Sequence, residues 1–386
     1  MDNVRAVLGV LLLGPCITWL SCEVSAEQIF GGGVINLRHR HNTWEPLMQT
    51  KANLSEVKSI RSIFEFRTLD PEGTIFYGDT REGKDWFVLL LRGGIPEMQI
   101  GKADVLASAM GGPKLNDGLW HKLELRSEGK FVVLEVDDEV ALVVGLDAKT
   151  AQIMMTGQIR LALGGILVDK EKLVHQFTPA MDGCIREGHW LNLSTPWDTD
   201  PNRETWPCFS EIKRGSYFSG QGMVMFNTSE LPSVQSEEQG IIIEIFGYWR
   251  GTIFSFQRPG FRYTTVDSQP SNNSKEGSIN DILGFPNSPK LVIKILRHSW
   301  TVNGITQSED ESQDFYSYWR EGMILAFGGL PGESEELGRS QYLHGCLERI
   351  LIQGQDIDLD QAFYKHSSVS SHSCPVKVVD GVPQTL

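Results

Sequence analysis

The sequence predicts an all-β chain folded as two β-sandwiches in tandem. Three observations carry this. The dominant hydrophobic period is two, a set of motifs recurs once at domain spacing, and long helical patterns are missing. A length of 386 residues suits two domains at roughly 150 residues each. Hydrophobic residues at 40% and charged residues at 22% indicate a chain with a real core. A net charge of −14 argues against a nucleic-acid binder, which would carry a basic face.

In chain order, the first element is an address. Residues 6–20 run almost wholly apolar after Arg5, and Val24-Ser25-Ala26 places small residues at cleavage positions. This reads as a signal peptide over 1–26, followed by an N-terminal extension over 27–45. A membrane anchor fits less well, because Gly14-Pro15 interrupts a run already short for a span of ~20 residues. A secreted, extracellular protein is expected. Cleavage removes Cys16 and Cys22 and leaves Cys184, Cys208, Cys346 and Cys374. An even set in an oxidising compartment suggests two disulfides, and none of the four forms the Cys-x-x-Cys pair of a zinc or redox site. Asn53, Asn192, Asn227 and Asn272 each open an N-glycosylation acceptor pattern.

The repeat defines the domains. Ile159-Arg-Leu-Ala-Leu-Gly-Gly165 resembles Met323-Ile-Leu-Ala-Phe-Gly-Gly329, and Gly73-Thr-Ile-Phe matches Gly251-Thr-Ile-Phe. Met181-Asp-Gly-Cys184 and Leu343-His-Gly-Cys346 are each followed by a second Cys, which selects Cys184–Cys208 and Cys346–Cys374 among three connectivities. The copies span 46–211 and 212–376, with a tail over 377–386. Within them, residues 120–127 alternate, with Leu123 and Leu125 on one face and Lys122, Glu124 and Arg126 on the other. Residues 131–140 read as two strands around Asp137-Asp138. Residues 241–246 and 291–296 are β-branched runs bounded by turn residues.

Enzyme motifs are missing. The nine His residues show no His-Glu-x-x-His spacing, Gly31-Gly-Gly33 lacks the setting of a dinucleotide loop, and there is no Gly-x-Ser-x-Gly. No catalytic residues are expected. Asp70-Pro-Glu72 precedes Gly73 at a turn; two such carboxylates can share a hard cation or stand as solvated turn acids. Trp86, Trp120 and Phe87 read equally as core aromatics.

The run from Phe64 to Asp79, with Asp85-Trp-Phe87 and Asp117-Gly-Leu-Trp-His121, resembles the laminin G-like domain family. The similarity covers nearly the whole mature chain and is strongest from Ser62 to Cys184. It is most specific to the family's steroid carriers, plasma proteins made of two such domains. Resemblance implies two tandem jelly rolls, with androgens and estrogens held between the sheets of the first. It places Ser62 at the oxygen of the steroid A ring and Asp85 at the D-ring hydroxyl. Phe87, Leu125, Ser127, Ile159, Leu161, Gly78, Thr80 and Leu191 fall on wall positions. Lys102 stands where mammalian members have asparagine; it donates but cannot accept, and is expected to pair with Asp85 and alter the ligand ranking. Asp70, Glu72 and the carbonyl of Ala180 match the family's structural calcium site. The two histidines that bind zinc in some members are here Ala103 and Thr156, so that site is expected to be absent or reduced. Resemblance also implies a homodimer through edge strands of the first domain, here including residues 141–144; the second copy does not match the first at the pocket positions, so no steroid is expected there.

Other classes fit less well. A calcium-dependent interaction module gripping proteins or glycans is the main alternative, and a secreted hydrolase of unusual sequence is a weaker one. An acidic chain does not encourage glycan binding at a basic rim.

Overall fold

The computed structural model describes residues 33–38, 44–57, 61–80, 82–102, 105–128, 131–145, 157–191, 206–232, 239–257, 264–267, 290–309, 314–331, 342–376, 378–379 and 382–386. The first sandwich contains β1 (Ile35–Asn36), β2 (Met48–Asn53), β3 (Arg61–Thr68), β4 (Gly73–Thr80), β5 (Asp85–Arg92), β6 (Ile95–Lys102), β7 (Val105–Met110), β8 (His121–Glu128), β9 (Phe131–Val136), β10 (Glu139–Gly145), β11 (Gln158–Leu163) and β12 (Gly183–Trp190). These form two antiparallel sheets, ordered β1-β12-β3-β8-β9-β10 and β2-β11-β4-β5-β6-β7. Alternation positions the core. In β3, Ser62, Phe64 and Phe66 are buried while Ile63 and Glu65 are half-buried, since successive side chains point to opposite faces. Asp137 and Asp138 join β9 to β10 with φ of 52° and 66°, the left-handed pair that a two-residue hairpin requires.

Strict alternation fails in β4 and β5. Every residue of β4 is buried, and only Phe87 and Arg92 of β5 are partly open. The cause is a strap over residues 164–178. Its Ile166, Leu173 and Phe177 pack with Tyr77, Trp86, Val88, Leu90 and Ala162 on the outer face of the sheet, and Trp44 packs beside them. Buried Glu97 ties the strap down, accepting from Arg92 Nε at 2.6 Å and contacting His175 Nδ1 at 2.9 Å.

The second sandwich contains β13 (Ile212–Arg214), β14 (Ser216–Ser219), β15 (Val224–Asn227), β16 (Ile241–Arg250), β17 (Thr252–Gln257), β18 (Thr264–Asp267), β19 (Lys290–Ile295), β20 (Ser299–Val302), β21 (Ile305–Glu309), β22 (Ile324–Phe327), β23 (His344–Ile352), β24 (Gln355–Asp356), β25 (Tyr364–Lys365), β26 (Val369–Ser370) and β27 (Ser373–Pro375). Its main sheets run β21-β20-β19-β16-β23-β14-β26 and β18-β17-β22-β15-β25. A helix, α1 (Phe315–Glu321), breaks the all-strand expectation. Asp314 caps it by accepting from Ser317 N–H, and Tyr316 and Trp319 anchor it in the core. Seven residues are too few to impose a readable 3.6 period.

Disulfides join Cys184 to Cys208 and Cys346 to Cys374, the pairing the repeat selects. The two sandwiches touch through polar groups. Arg38 donates to the carbonyls of Ser367 and Val369, and Ser370 donates to Asp182.

Candidate functional site

Register decides which side chains share the interior of the first sandwich. On one sheet, Gly78 lies opposite Phe87 and Leu161, and Thr80 opposite Asp85 and Ile159. Pairing of Trp86 with Gly101 sets Lys102 opposite Asp85. On the facing sheet, Ser62 lies opposite Leu125 and Trp190. Two rows of one sheet therefore face a serine-bearing row of the other across a gap of about 10 Å.

Each polar group in these rows has a defined state. Ser62 is 1% exposed, and its Oγ accepts from the Leu191 N–H at 3.3 Å. Leu191 holds φ at 51°, an unfavourable value for a branched side chain, and so aims its N–H at the serine. With a lone pair engaged, Ser62 retains its O–H as a buried donor, and no described residue accepts that hydrogen. Asp85 is buried, and Thr80 donates its hydroxyl to Asp85 Oδ2 at 3.4 Å.

The apolar lining is graded. Leu125, Ile159, Leu161 and Leu191 are buried, Phe87 and Lys102 are partly open, and Ser127 is exposed near the end of β8. Gly78 permits a close approach: a Cβ there would fall 2.4 Å from the Phe87 ring and 3.1 Å from Leu161. Ala103, Thr156, Asn192 and Asn272 lie outside the described residues.

The second copy answers Gly78 differently. Counting from the matched Gly73 and Gly251, the equivalent residue is Phe256. It is buried against Trp300, Phe315 and Phe254, with ring centroids 5.5, 6.2 and 5.6 Å away. Fully buried Trp319 of α1 occupies the same core. Aromatic side chains fill this interior.

Asp70, Glu72 and Ala180 are linked by backbone hydrogen bonds and close packing around one turn. Asp70 Oδ1 accepts from Glu72 N–H and Oδ2 from Asp182 N–H, while Glu72 Oε1 accepts from Thr178 N–H at 2.6 Å. A Cβ on Gly73 would lie 2.4 Å from the Ala180 carbonyl oxygen, so glycine brings that oxygen against the acidic turn. The sequence reasoning missed what the second domain adds. His372 Nε2 donates to Asp360 Oδ2 at 2.9 Å and stands 3.7 Å from Asp70 Oδ1. Burial pushes the Asp70 carboxyl up, with His372 pulling the other way, to about 7. Burial alone would lower His372, but Asp360 and Asp70 raise it to about 9. Opposing its own burial, Asp360 is held well below the usual carboxylate range by His372 and Lys365. A cleft of about 340 Å³ opens here, lined by Arg38, Asp70, Ala180, Asp360, Lys365 and His372. The Asp70 carboxylate and the Ala180 carbonyl are oxygen donors of the kind a hard divalent cation takes, while Lys365 and His372 already pair with Asp360 in the same cleft.

Residues 66–195 match the Laminin G domain family. Sex hormone-binding globulin of Homo sapiens is 30% identical over 349 residues, covering 86% of this chain and 84% of the relative. This chain belongs to the sex hormone-binding globulin family. The Rattus norvegicus member is 28% identical over 352 residues, with 86% and 84% covered. Among solved structures, domains LG4-5 of the mouse laminin alpha1 chain superpose with a TM-score of 0.58 at 17% identity, covering 90% of this chain and 95% of that one. That likeness concerns the tandem jelly-roll fold. In this chain the second copy carries the lower share of the motifs that first marked the resemblance. Relatives of this kind are binding proteins, and no helix among the described residues is long and apolar enough to cross a membrane.

Proposed function

We propose that the chain is a secreted plasma carrier that binds androgens and estrogens reversibly between the sheets of its first domain and so regulates free hormone. The observation that carries this is Ser62. A buried hydroxyl whose lone pair is engaged by Leu191, and whose hydrogen has no acceptor among the described residues, suits the keto oxygen of a flat lipid. Asp85 on the opposite sheet accepts from a hydroxyl at the other end, and Phe87, Leu125, Ile159 and Leu161 supply apolar walls. A steroid offers on the order of 400 Å², or about 10 kcal/mol at ~25 cal/mol per Å², against about 12 kcal/mol for nanomolar binding. Burial supplies most of the affinity, and the polar ends set orientation.

Calcium serves as a structural ion, held by Asp70, Glu72 and the Ala180 carbonyl with Asp360 alongside. The homodimer forms at β10 and β7, one outer strand of each sheet, where Val140, Val143, Leu106 and Met110 are exposed. Sedimentation at micromolar concentration with calcium and steroid is expected to find dimers; monomers alone would overturn this part.

Equilibrium binding of tritiated dihydrotestosterone or estradiol tests the carrier reading. Saturable nanomolar binding, weakened in Ser62→Ala, is the expected result. Failure to bind any androgen, estrogen or progestin would favour a calcium-dependent extracellular protein- or glycan-binding module instead.

A further inference from the structure

β2 is an outer strand of its sheet; among the described residues only β11 pairs with it. Its outward-facing residues are Gln49, Lys51 and Asn53, half-buried or exposed. A bare edge is a template for pairing with another chain, and Lys51 is one defence against that. Asn53 ends the strand and caps a single 3-10 turn, Leu54–Glu56, its Oδ1 accepting from Ser55 N–H at 3.3 Å. That bond uses the carbonyl end of the carboxamide and leaves Nδ2 without a hydrogen bond among the described residues. Asn53 and Ser55 are both exposed.

We propose that Asn53 carries an N-linked glycan and that this glycan closes the β2 edge, directing self-association to the β7–β10 side. The inference rests on the reading of the chain as exported. A branched, hydrated sugar at the strand's last outward position excludes a second backbone more completely than one lysine does.

The repeat supplies an internal control. Asn227 ends β15 and caps Thr228–Glu230 by the same bond, accepting from Ser229 N–H at 3.1 Å. There the acceptor pattern is committed to packing. Thr228 is buried, donating to the Trp319 carbonyl and accepting from Met323 N–H, each at 2.7 Å. The Ser229 hydroxyl donates to Asn227 Oδ1, and a Cβ on Gly322 would fall 2.7 Å from that oxygen. β15 also lies between β22 and β25, which covers its edge at Val224 and Met225. One local motif thus takes opposite roles, modified at Asn53 and structural at Asn227.

The test uses the full chain with its leader, secreted from a glycosylating eukaryotic line. Glycopeptide mass spectrometry after enzymatic release in heavy-oxygen water reads each asparagine separately, Asn192 and Asn272 included. Occupied Asn53 and bare Asn227 are expected. Ser55→Ala destroys the acceptor pattern but keeps the Asn53 side chain and the N–H it caps. This variant should lose one glycan and show a larger mass by light scattering than the parent, with steroid binding unchanged. A bare Asn53, a glycan on Asn227 or retention of the chain inside the cell overturns the assignment. Unaltered association of Ser55→Ala overturns the role of the edge. Absence of steroid binding by the parent would leave these readouts intact, so the two readings fail separately.

Discussion

Ser62 and Gly78 show how single atoms set the character of the interior. Replacing Ser62 with Ala removes a donor to the ligand and strands the Leu191 N–H. The expected effect on steroid affinity is a loss of about 1–1.5 kcal/mol, roughly tenfold, read by equilibrium dialysis. A lower denaturation midpoint should accompany it, because a buried N–H without an acceptor costs about 1–3 kcal/mol. Gly78→Ala acts by volume. Its Cβ would collide with Phe87 at 2.4 Å, forcing that ring into the gap between the sheets. Overpacking of this kind costs about 1–3 kcal/mol, and here it should reduce ligand affinity and stability together. An unaltered affinity would mean that the ring does not border the ligand.

At the scale of elements, the same strand pair serves two ends. The matching strands β4 and β17 share Gly-Thr-Ile-Phe, with Gly251 just ahead of β17, and then diverge at Gly78 and Phe256. Where the first sets the Phe87 ring against a glycine, the second seats its own ring against Trp300 of β20 and Phe315 of α1. Phe256→Ala should therefore destabilise the second domain by about 3–5 kcal/mol, visible as a denaturant midpoint shift, without weakening steroid binding. Weakened binding would place ligand contacts in the wrong domain. The strap over 164–178 is a second case in which tertiary cover overrides pattern: it buries both faces of β4 and nearly all of β5, so neither shows a half-exposed alternation.

The whole molecule is held at a polar junction, and its pH response follows from the groups there. Asp70 titrates near 7 when folded, against an ordinary 3.8, and His372 near 9, against 6.5. Both folded values are raised, so the folded state binds the extra protons. Their stabilising contribution is complete below the unfolded values and is lost as pH rises through about 7 and then about 9. In chelator, melting temperature should fall across that window more steeply for the parent than for Asp70→Asn. Calcium gives the ionised Asp70 a counter-charge, so the increase it produces should be larger at pH 8 than at pH 5. A calcium effect that is independent of pH, or intact in Asp70→Asn, would remove Asp70 from the site. Arg38, Asp182 and Ser370 link the domains around this cleft, so the acid turn of one domain reports on the seating of the other.

Much of this was legible from residue order. Strand period, the recurrence of Gly-Thr-Ile-Phe and Gly-Cys, and the disulfide pairing follow from local chemistry, because side-chain alternation and turn residues act over a few positions. The family resemblance pointed to Ser62, Asp85 and the acidic turn for the same reason: their motifs are contiguous. Asp360 and His372 could not be read this way. They stand far along the chain from Asp70, and nothing in a linear pattern records that the second domain turns them toward the first. Nor could Asn53 and Asn227 be told apart as tripeptides; the packing of Thr228 under α1 separates them, together with a β2 edge that no described strand covers beside Asn53. Sequence by itself determined the strands and their inward residues, through interactions between near neighbours. Tertiary structure alone decided which rings pack across each interior and which charges meet, because both depend on groups brought together from distant parts of the chain.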